Sequence, residues 1–549
     1  MSGDFTLNSG GFPGDYYNRG ALLLEDQGDL SLTMLGESWD DNYADLMVII
    51  GTYDTAYAYL AGNGVPQNAL STIDASILID QPDQIVDIDV PQVEVNVTFT
   101  YEGAPFVFSI YESADFYLQP DGTDDLIHLG PSYGPFVDVM VKPGVYDVIY
   151  ARKWGTTYAQ NDQAVVMEDV DIDNANSRFN INVEVCTVAP DWQLIIDGGD
   201  PEDFPVSIYT SAEFFLRNDR GDLVRLGASY EDSVMVDVVI GTYDLVYSVL
   251  NGNGTSVPRN VDTVVAEGLS IARGRCPLDI DVYARSVTPD LTLNGSPFAA
   301  SIYQSGDIFL KDTTTGGLTS IGPTYNPPNT TLIIEGTYDT VYRRKNGTEV
   351  PVNTEADLPG QVTIDGINQT ASVDVPAVTV KGDFSLNGGS FPSSVYHTAN
   401  INLRQDDKEP VLLGETDDET ESILIVGGVY DVIYEFVQGE SLPRNAHFIV
   451  LDDELLDSDG DIDVDLLSRD IEVTFTLNGG PFPASAYQRG DFFLRGNHPD
   501  DLVYLGPSNA APESARVIRA DYEAIYQFVQ SPTTVPVNSE AIVGQIIVD

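Results

Sequence analysis

Basic side chains are scarce in this sequence of 549 residues: 25 Lys and Arg stand against 86 Asp and Glu, for a formal charge of −61, and only six of the bases are lysines. So negative a surface excludes nucleic acid and anionic membranes as natural partners. It calls for cation-rich surroundings such as seawater, millimolar calcium or a halophile's cytoplasm, where short Debye lengths screen the repulsion. No stretch approaches the ~18 apolar residues of a membrane span, so membrane insertion is not expected. The opening "MSGDFTLNSG" lacks the basic-then-apolar order of a secretory signal. Histidine is also rare, with His128, His397, His447 and His498 at positions that do not correspond between repeats. Repeated metal–histidine clusters or Ser-His-Asp machinery would need corresponding positions. Phosphate-binding loops, dinucleotide fingerprints and G-x-S-x-G elbows are absent too, so no enzyme is expected.

Cysteine is limited to Cys186 and Cys276, close to one repeat length apart and without a CxxC partner, which argues against a zinc knuckle or thioredoxin-like site. Two readings stay open: a buried free thiol in each of two repeats, or one disulfide tying the ends of the third.

Apolar residues (42%) and aromatics (10%) are ample for packed cores. The dominant signal is repetition. "GTYDTAYAYLAGNGVPQN" at Gly51 returns as "GVYDVIYARKWGTTYAQN", "GTYDLVYSVLNGNGTSVPRN", "GTYDTVYRRKNGTEVPVN", "GVYDVIYEFVQGESLPRN" and "ADYEAIYQFVQSPTTVPVN". Its first tyrosines, Tyr53, Tyr146, Tyr243, Tyr338, Tyr430 and Tyr522, lie 92 to 97 residues apart. A period of ~20–45 residues would mean a solenoid, whereas one near 92 is long enough for each repeat to bury its own core. Six domains are expected, at 1–94, 95–189, 190–287, 288–380, 381–471 and 472–549.

Each repeat reads as a series of strands rich in Val, Ile, Tyr and Phe, with turns every ~8 to 12 residues and no helical period. The expected fold is all-β: six tandem antiparallel β-sandwiches. Joints such as "VEVNVTFTYEG" and "IEVTFTLNGG" carry no Gly/Ser or Pro-rich linker, which predicts an extended, stiff rod of roughly 200 Å. The sixth copy stops at "AIVGQIIVD", before the acid–apolar closing strand of the other five. An open sheet edge is expected there, with the strand either lying outside this sequence or supplied by a neighbouring molecule. The start resembles the middle of such an array, which suggests a piece of a longer secreted chain.

In "G-[TV]-Y-D-x-[AIV]-Y" the two tyrosines share one strand face and the aspartate takes the other. "KPGVYDVIY" and "GTYDLVY" resemble the strand entry of carboxypeptidase-regulatory-like and collagen-adhesin B-type domains, transthyretin-like sandwiches found in tandem on bacterial surface proteins. The Gly-x-Tyr arrangement is also similar to the tyrosine corner of immunoglobulin-like sandwiches. The Lys–Asn cross-links of some collagen-adhesin domains are not implied, because the six lysines fall at scattered positions. Asn68, Asn161, Asn260, Asn353, Asn445 and Asn538 follow the tyrosine by 15 to 17 residues and are read as side-chain caps on a returning hairpin.

Alternating acids at "DSDGDIDVD" make Asp457, Asp459, Asp461 and Asp463 the candidate calcium ligands, although the EF-hand order is not met. The competing reading puts these acids on the outward face of the closing strand. Asn-x-Thr sequons stand at Asn96, Asn253, Asn329, Asn346 and Asn368. The composite expectation is a non-enzymatic, extracellular or cell-surface structural protein, part of a rod, filament or adhesin stalk, that assembles with itself end to end or laterally. The alternative is a multivalent module for carbohydrates or cell surfaces, which would show exposed aromatics at equivalent places on successive units.

Overall fold

In a computed structural model the chain is described throughout, save residues 41, 135–137, 175–176, 232–233, 253, 407, 419–421, 511–513 and 531–533. The sequon at Asn253 lies outside the described residues. The structure is nearly all β; the one helical element among the described residues is a 3-10 turn at Ser38–Asp40. Among the described residues no helix is long and apolar enough to cross a membrane.

The second repeat shows the plan. A four-stranded sheet runs Ile127–Pro131, Ser113–Pro120, Gly144–Trp154, Ala164–Ile172, all pairs antiparallel. The motif strand, Gly144–Trp154, is central in it. Facing it is a sheet of Asp138–Val141, the opening strand Val93–Tyr101 and the closing strand Arg178–Val183. The opening and closing strands pair in parallel, the one departure from an antiparallel sandwich. The same four-stranded order recurs six times along the chain. Period-two alternation explains the packing: Val93, Val95 and Val97 are buried on one face of the opening strand while Glu94 is exposed on the other. Aromatics bridge the two sheets. Phe99 stacks on Phe116, Trp192 on Phe214 and Phe475 on Phe492, with ring centroids 4.0–4.1 Å apart.

Neighbouring repeats run into each other without a linker. A single strand of 20 residues, Gly274–Leu293, first closes the third unit beside the strand Val185–Ile196 and then opens the fourth beside Thr331–Ile334. Cys186 and Cys276 are joined by a disulfide between the opening and closing strands of the third unit.

The sixth unit differs. Its opening strand is split into Ser468–Glu472 and Thr476–Leu477, and among the described residues no closing strand pairs with either piece.

The expected extended rod is not what these contacts build. Asn538, in the last unit, donates to Tyr53 Oη of the first at 3.1 Å; Val537 N donates to Met47 O at 2.8 Å, and Ser31 Oγ to Glu540 O at 2.8 Å. The six units therefore close into a ring. The reason is the direction of each joint. The strand connection is reinforced by a side contact, the motif hairpin laid on the next unit, and closure of the six steps requires each to carry a rotation. A head-to-tail contact closes when its rotation divides a full turn, about 60° per step for six units.

Candidate functional site: joints and tyrosine patches

The joints come from the motif itself. Each motif asparagine is fully or almost fully buried. Its side-chain amide bonds the following unit rather than capping its own hairpin. Asn68, Asn161, Asn260, Asn353 and Asn445 donate through Nδ2 to the hydroxyls of Tyr146, Tyr243, Tyr338, Tyr430 and Tyr522 at 3.0–3.1 Å. Through Oδ1 they accept from the backbone N–H of Lys142, Val239, Ile334, Val426 and Ile518 at 2.8–2.9 Å. Each of these tyrosines in turn donates to the carbonyl of that same residue. Asn538, Tyr53 and Ile49 form the sixth such clasp and close the ring.

The hairpin itself is closed by backbone. In five units the asparagine carbonyl accepts from the strand before it, as in Arg152 N to Asn161 O at 2.9 Å. The second motif tyrosine stays within its unit: Tyr57, Tyr150, Tyr247, Tyr342, Tyr434 and Tyr526 donate to carbonyls two residues before the asparagine, at 2.8–3.0 Å. Burial pushes the hydroxyls of Tyr53, Tyr243 and Tyr430 up to about 12, against a smaller downward pull from the asparagine amide.

A second constellation lies in the loop between the opening and second strands. Tyr17, Tyr111, Tyr209, Tyr303, Tyr396 and Tyr487 occupy one equivalent position and are 75–79% exposed. Tyrosine normally buries most of its ring, so six such exposures at one position set these rings apart from ordinary surface residues. Each ring is held on a local turn. The tyrosine N–H donates to Ser109, Ser207, Ser301, Ser394 or Ser485 Oγ two residues earlier at 3.2–3.3 Å, and to Asp15 Oδ1 in the first unit.

The residue after the tyrosine ties this loop to the variable hairpin tip. Asn18 accepts from Asn63 and Gly64 N–H, Glu112 from Thr156 and Thr157 N–H, and Gln304 from Glu349 N–H. His397 Nδ1 bonds Ser441 Oγ. Two backbone hydrogen bonds, from Thr157 first, hold the Glu112 carboxyl below its ordinary range. Tip glycines allow the approach. Gly155 has φ +86° and Gly347 φ +105°, and a Cβ on either would sit 2.6 Å from the carbonyl of Tyr111 or Tyr303. In these four units loop and tip form one patch: an exposed phenol beside backbone amides and short polar side chains. The signal was present in the sequence as "SIY", "SIY", "SIY", "SVY" and "SAY" at a fixed distance before the aromatic strand. It reads as a plain turn until exposure is known.

The candidate calcium ligands lie along the closing strand of the fifth unit, Gly460–Leu466, and just before it. Asp461 and Asp463 point outward at alternate positions, Asp459 accepts from Thr379 N–H at 2.6 Å, and exposed Asp457 precedes the strand. Carboxylate oxygens gather elsewhere, within 4.8 Å of one another, at Asp431, Asp452 and Asp453. There Asp453 raises the Asp452 carboxyl, and Arg404 pairs with Asp431. Of the histidines, His447 and His498 come together beside Arg404, ring centroids 4.3 Å apart, where the fifth and sixth units meet.

Neither any family model nor any curated protein matches this chain. Among solved structures it is similar to the Bacillus anthracis TIE protein (11% identity, 65% of this chain and 68% of that one, TM-score 0.16). The pilus adhesin SpaC of Lactobacillus rhamnosus GG matches at 8% identity, over 82% of this chain and 56% of its own length, TM-score 0.13. Two B repeat units of the Staphylococcus aureus collagen-binding protein match at 11% identity, over 67% and 98%, TM-score 0.11. Likenesses this loose carry no argument about what the chain does.

Proposed function

We propose that this chain is a non-enzymatic, extracellular or cell-surface adhesin-type repeat protein that presents six equivalent tyrosine patches on a closed ring and binds a repetitive neutral glycan. The observation that carries this reading is the set of six rings, 75–79% exposed at one position of every unit. A phenol ring offers a flat apolar face to the C–H face of a pyranose and a hydroxyl to its rim, at little cost in side-chain entropy. Amides and hydroxyls of the adjoining tip supply the orienting hydrogen bonds. The charge of −61 disfavours acidic polysaccharides. Clasped joints keep the patches at fixed spacing, so weak contacts add by effective concentration on a polymer of repeating epitopes. The disulfide Cys186–Cys276 between two paired strands accords with an oxidising compartment.

Binding to arrayed neutral and acidic oligosaccharides tests the reading. Replacing one of the six tyrosines with Ala is expected to weaken avidity several-fold, and replacing all six to abolish it while the melting curve is unchanged. A sextuple variant that retains wild-type binding, or a wild type that retains no neutral glycan, refutes it.

A further inference from the structure

Every unit sets one residue of its second strand directly across from the motif acid, and in four of the six that residue is a base. Arg217 stands opposite Asp244, Lys311 opposite Asp339, Arg404 opposite Asp431 and Arg495 opposite Glu523. The three arginines close ion pairs with these acids at 2.7–3.3 Å. In the first unit the place belongs to Glu25, and Gln27 Nε2 donates to Asp54 instead at 2.6 Å. The second unit keeps the register, with Gln119 opposite Asp147, but supplies no base.

Gln119 is 6% exposed. Its Nε2 donates to Thr123 O, whereas its buried Oε1 has no hydrogen-bond partner. Leaving a buried amide oxygen without a donor is costly, so something at this place should satisfy it. Beside it lies a cavity of about 580 Å³ between the second and third units, lined also by Asp121, Asp124 and Asp147 of the second unit and Asp222 of the third. Among the described residues Arg220 is the one base on its wall, against four carboxylates. Asp147 accepts from Asp169 N–H at 3.0 Å, but Asp244 and Asp431 make the same backbone contact in addition to their arginines, so it does not replace the missing cation. Like charges gathered on one cavity repel unless a cation stands among them.

We propose that this cavity binds a hard divalent cation, Mg²⁺ or Ca²⁺, through Gln119 Oε1 and the carboxylates of Asp147 and Asp222, and that the ion takes the place the arginine holds in the other units. The donors are all oxygens, which favours hard cations over metals that seek thiolate or imidazole. No three of these carboxylates gather within 4.8 Å of one another. The cavity therefore leaves room for an ion that keeps part of its water shell, and ions of either radius fit. Asp222 belongs to the third unit, and nearby Asn218 Nδ2 donates to Gln163 O of the second at 3.2 Å. An ion shared by Asp147 and Asp222 thus tightens this one joint.

Amide hydrogen exchange on the full 549-residue chain reads the site by its location. Replacing NaCl by MgCl₂ or CaCl₂ at constant ionic strength is expected to slow exchange several-fold across residues 119–124 and 218–223, in preference to the other five joints, and EDTA should reverse it. Gln119→Arg installs the side chain that the third, fifth and sixth units already carry. It should give the same protection in NaCl alone and remove the response to divalent ions. Asp222→Asn, on the opposite wall, should weaken that response several-fold while leaving exchange elsewhere as in the wild type, which separates loss of the ion from loss of the fold. Equal slowing at all six joints, the mark of screening alone, overturns the proposal. No response in the wild type overturns it too, as does an undiminished response in both variants.

Discussion

Asn353 stands in for a peptide group between two units: its oxygen accepts from Val426 N–H and its amide donates to Tyr430, whose hydroxyl returns to Val426 O. Asn353→Ala therefore leaves a buried N–H without a partner, a loss of about 1–3 kcal/mol. Urea titration is expected to show destabilisation of that size, with exchange rates rising first at the joint between the fourth and fifth units. The clasp also fixes a pH response. Tyrosine titrates near ~10 in an unfolded chain, and Tyr53, Tyr243 and Tyr430 are raised to about 12 by burial. A raised folded value means that the neutral form is favoured by folding, so this contribution is complete below pH ~10 and is lost as pH rises through about 12. Tyrosinate absorbance and near-ultraviolet circular dichroism should change together in that window, whereas phenols titrating without loss of structure would contradict the clasp.

At the scale of elements, the disulfide between the opening and closing strands of the third unit constrains a long loop. Reduction, or Cys276→Ser, is expected to cost about 2–4 kcal/mol of that unit's stability. Differential scanning calorimetry with and without reductant should move one transition and leave the other units' heat absorption in place. The strands themselves were legible in the sequence, because period-two patterns such as "VDIDV" and "VMVDVVI" depend only on neighbours in the chain. The motif's tyrosines and asparagines were legible as structural, but their partners were not. Asn260 meets Tyr338 across 78 residues, and nothing local distinguishes a side chain that caps its own hairpin from one that reaches the next unit. Tyr303 and its five counterparts were missed for a different reason. A Ser-x-Tyr turn between strands has the same local pattern whether its ring packs inward or stands in solvent.

The whole molecule was the least legible, because a ring is the sum of six rotations of about 60° and no single joint encodes it. Its charge has a direct consequence. With 86 acids against 25 bases, repulsion between units opposes closure. Raising salt should raise the melting temperature, and Mg²⁺ and Ca²⁺ at equal ionic strength should act alike. A several-degree excess for Ca²⁺, abolished by chelator, would mean that a bound ion contributes as well as screening. The Asn538–Tyr53 clasp closes six β-sandwiches into a ring carrying the exposed tyrosines. Electron microscopy of single particles in moderate salt tests it most directly. Closed, six-lobed rings are expected, opening on Asn538→Ala, whereas a population of straight particles near roughly 200 Å in length would contradict closure.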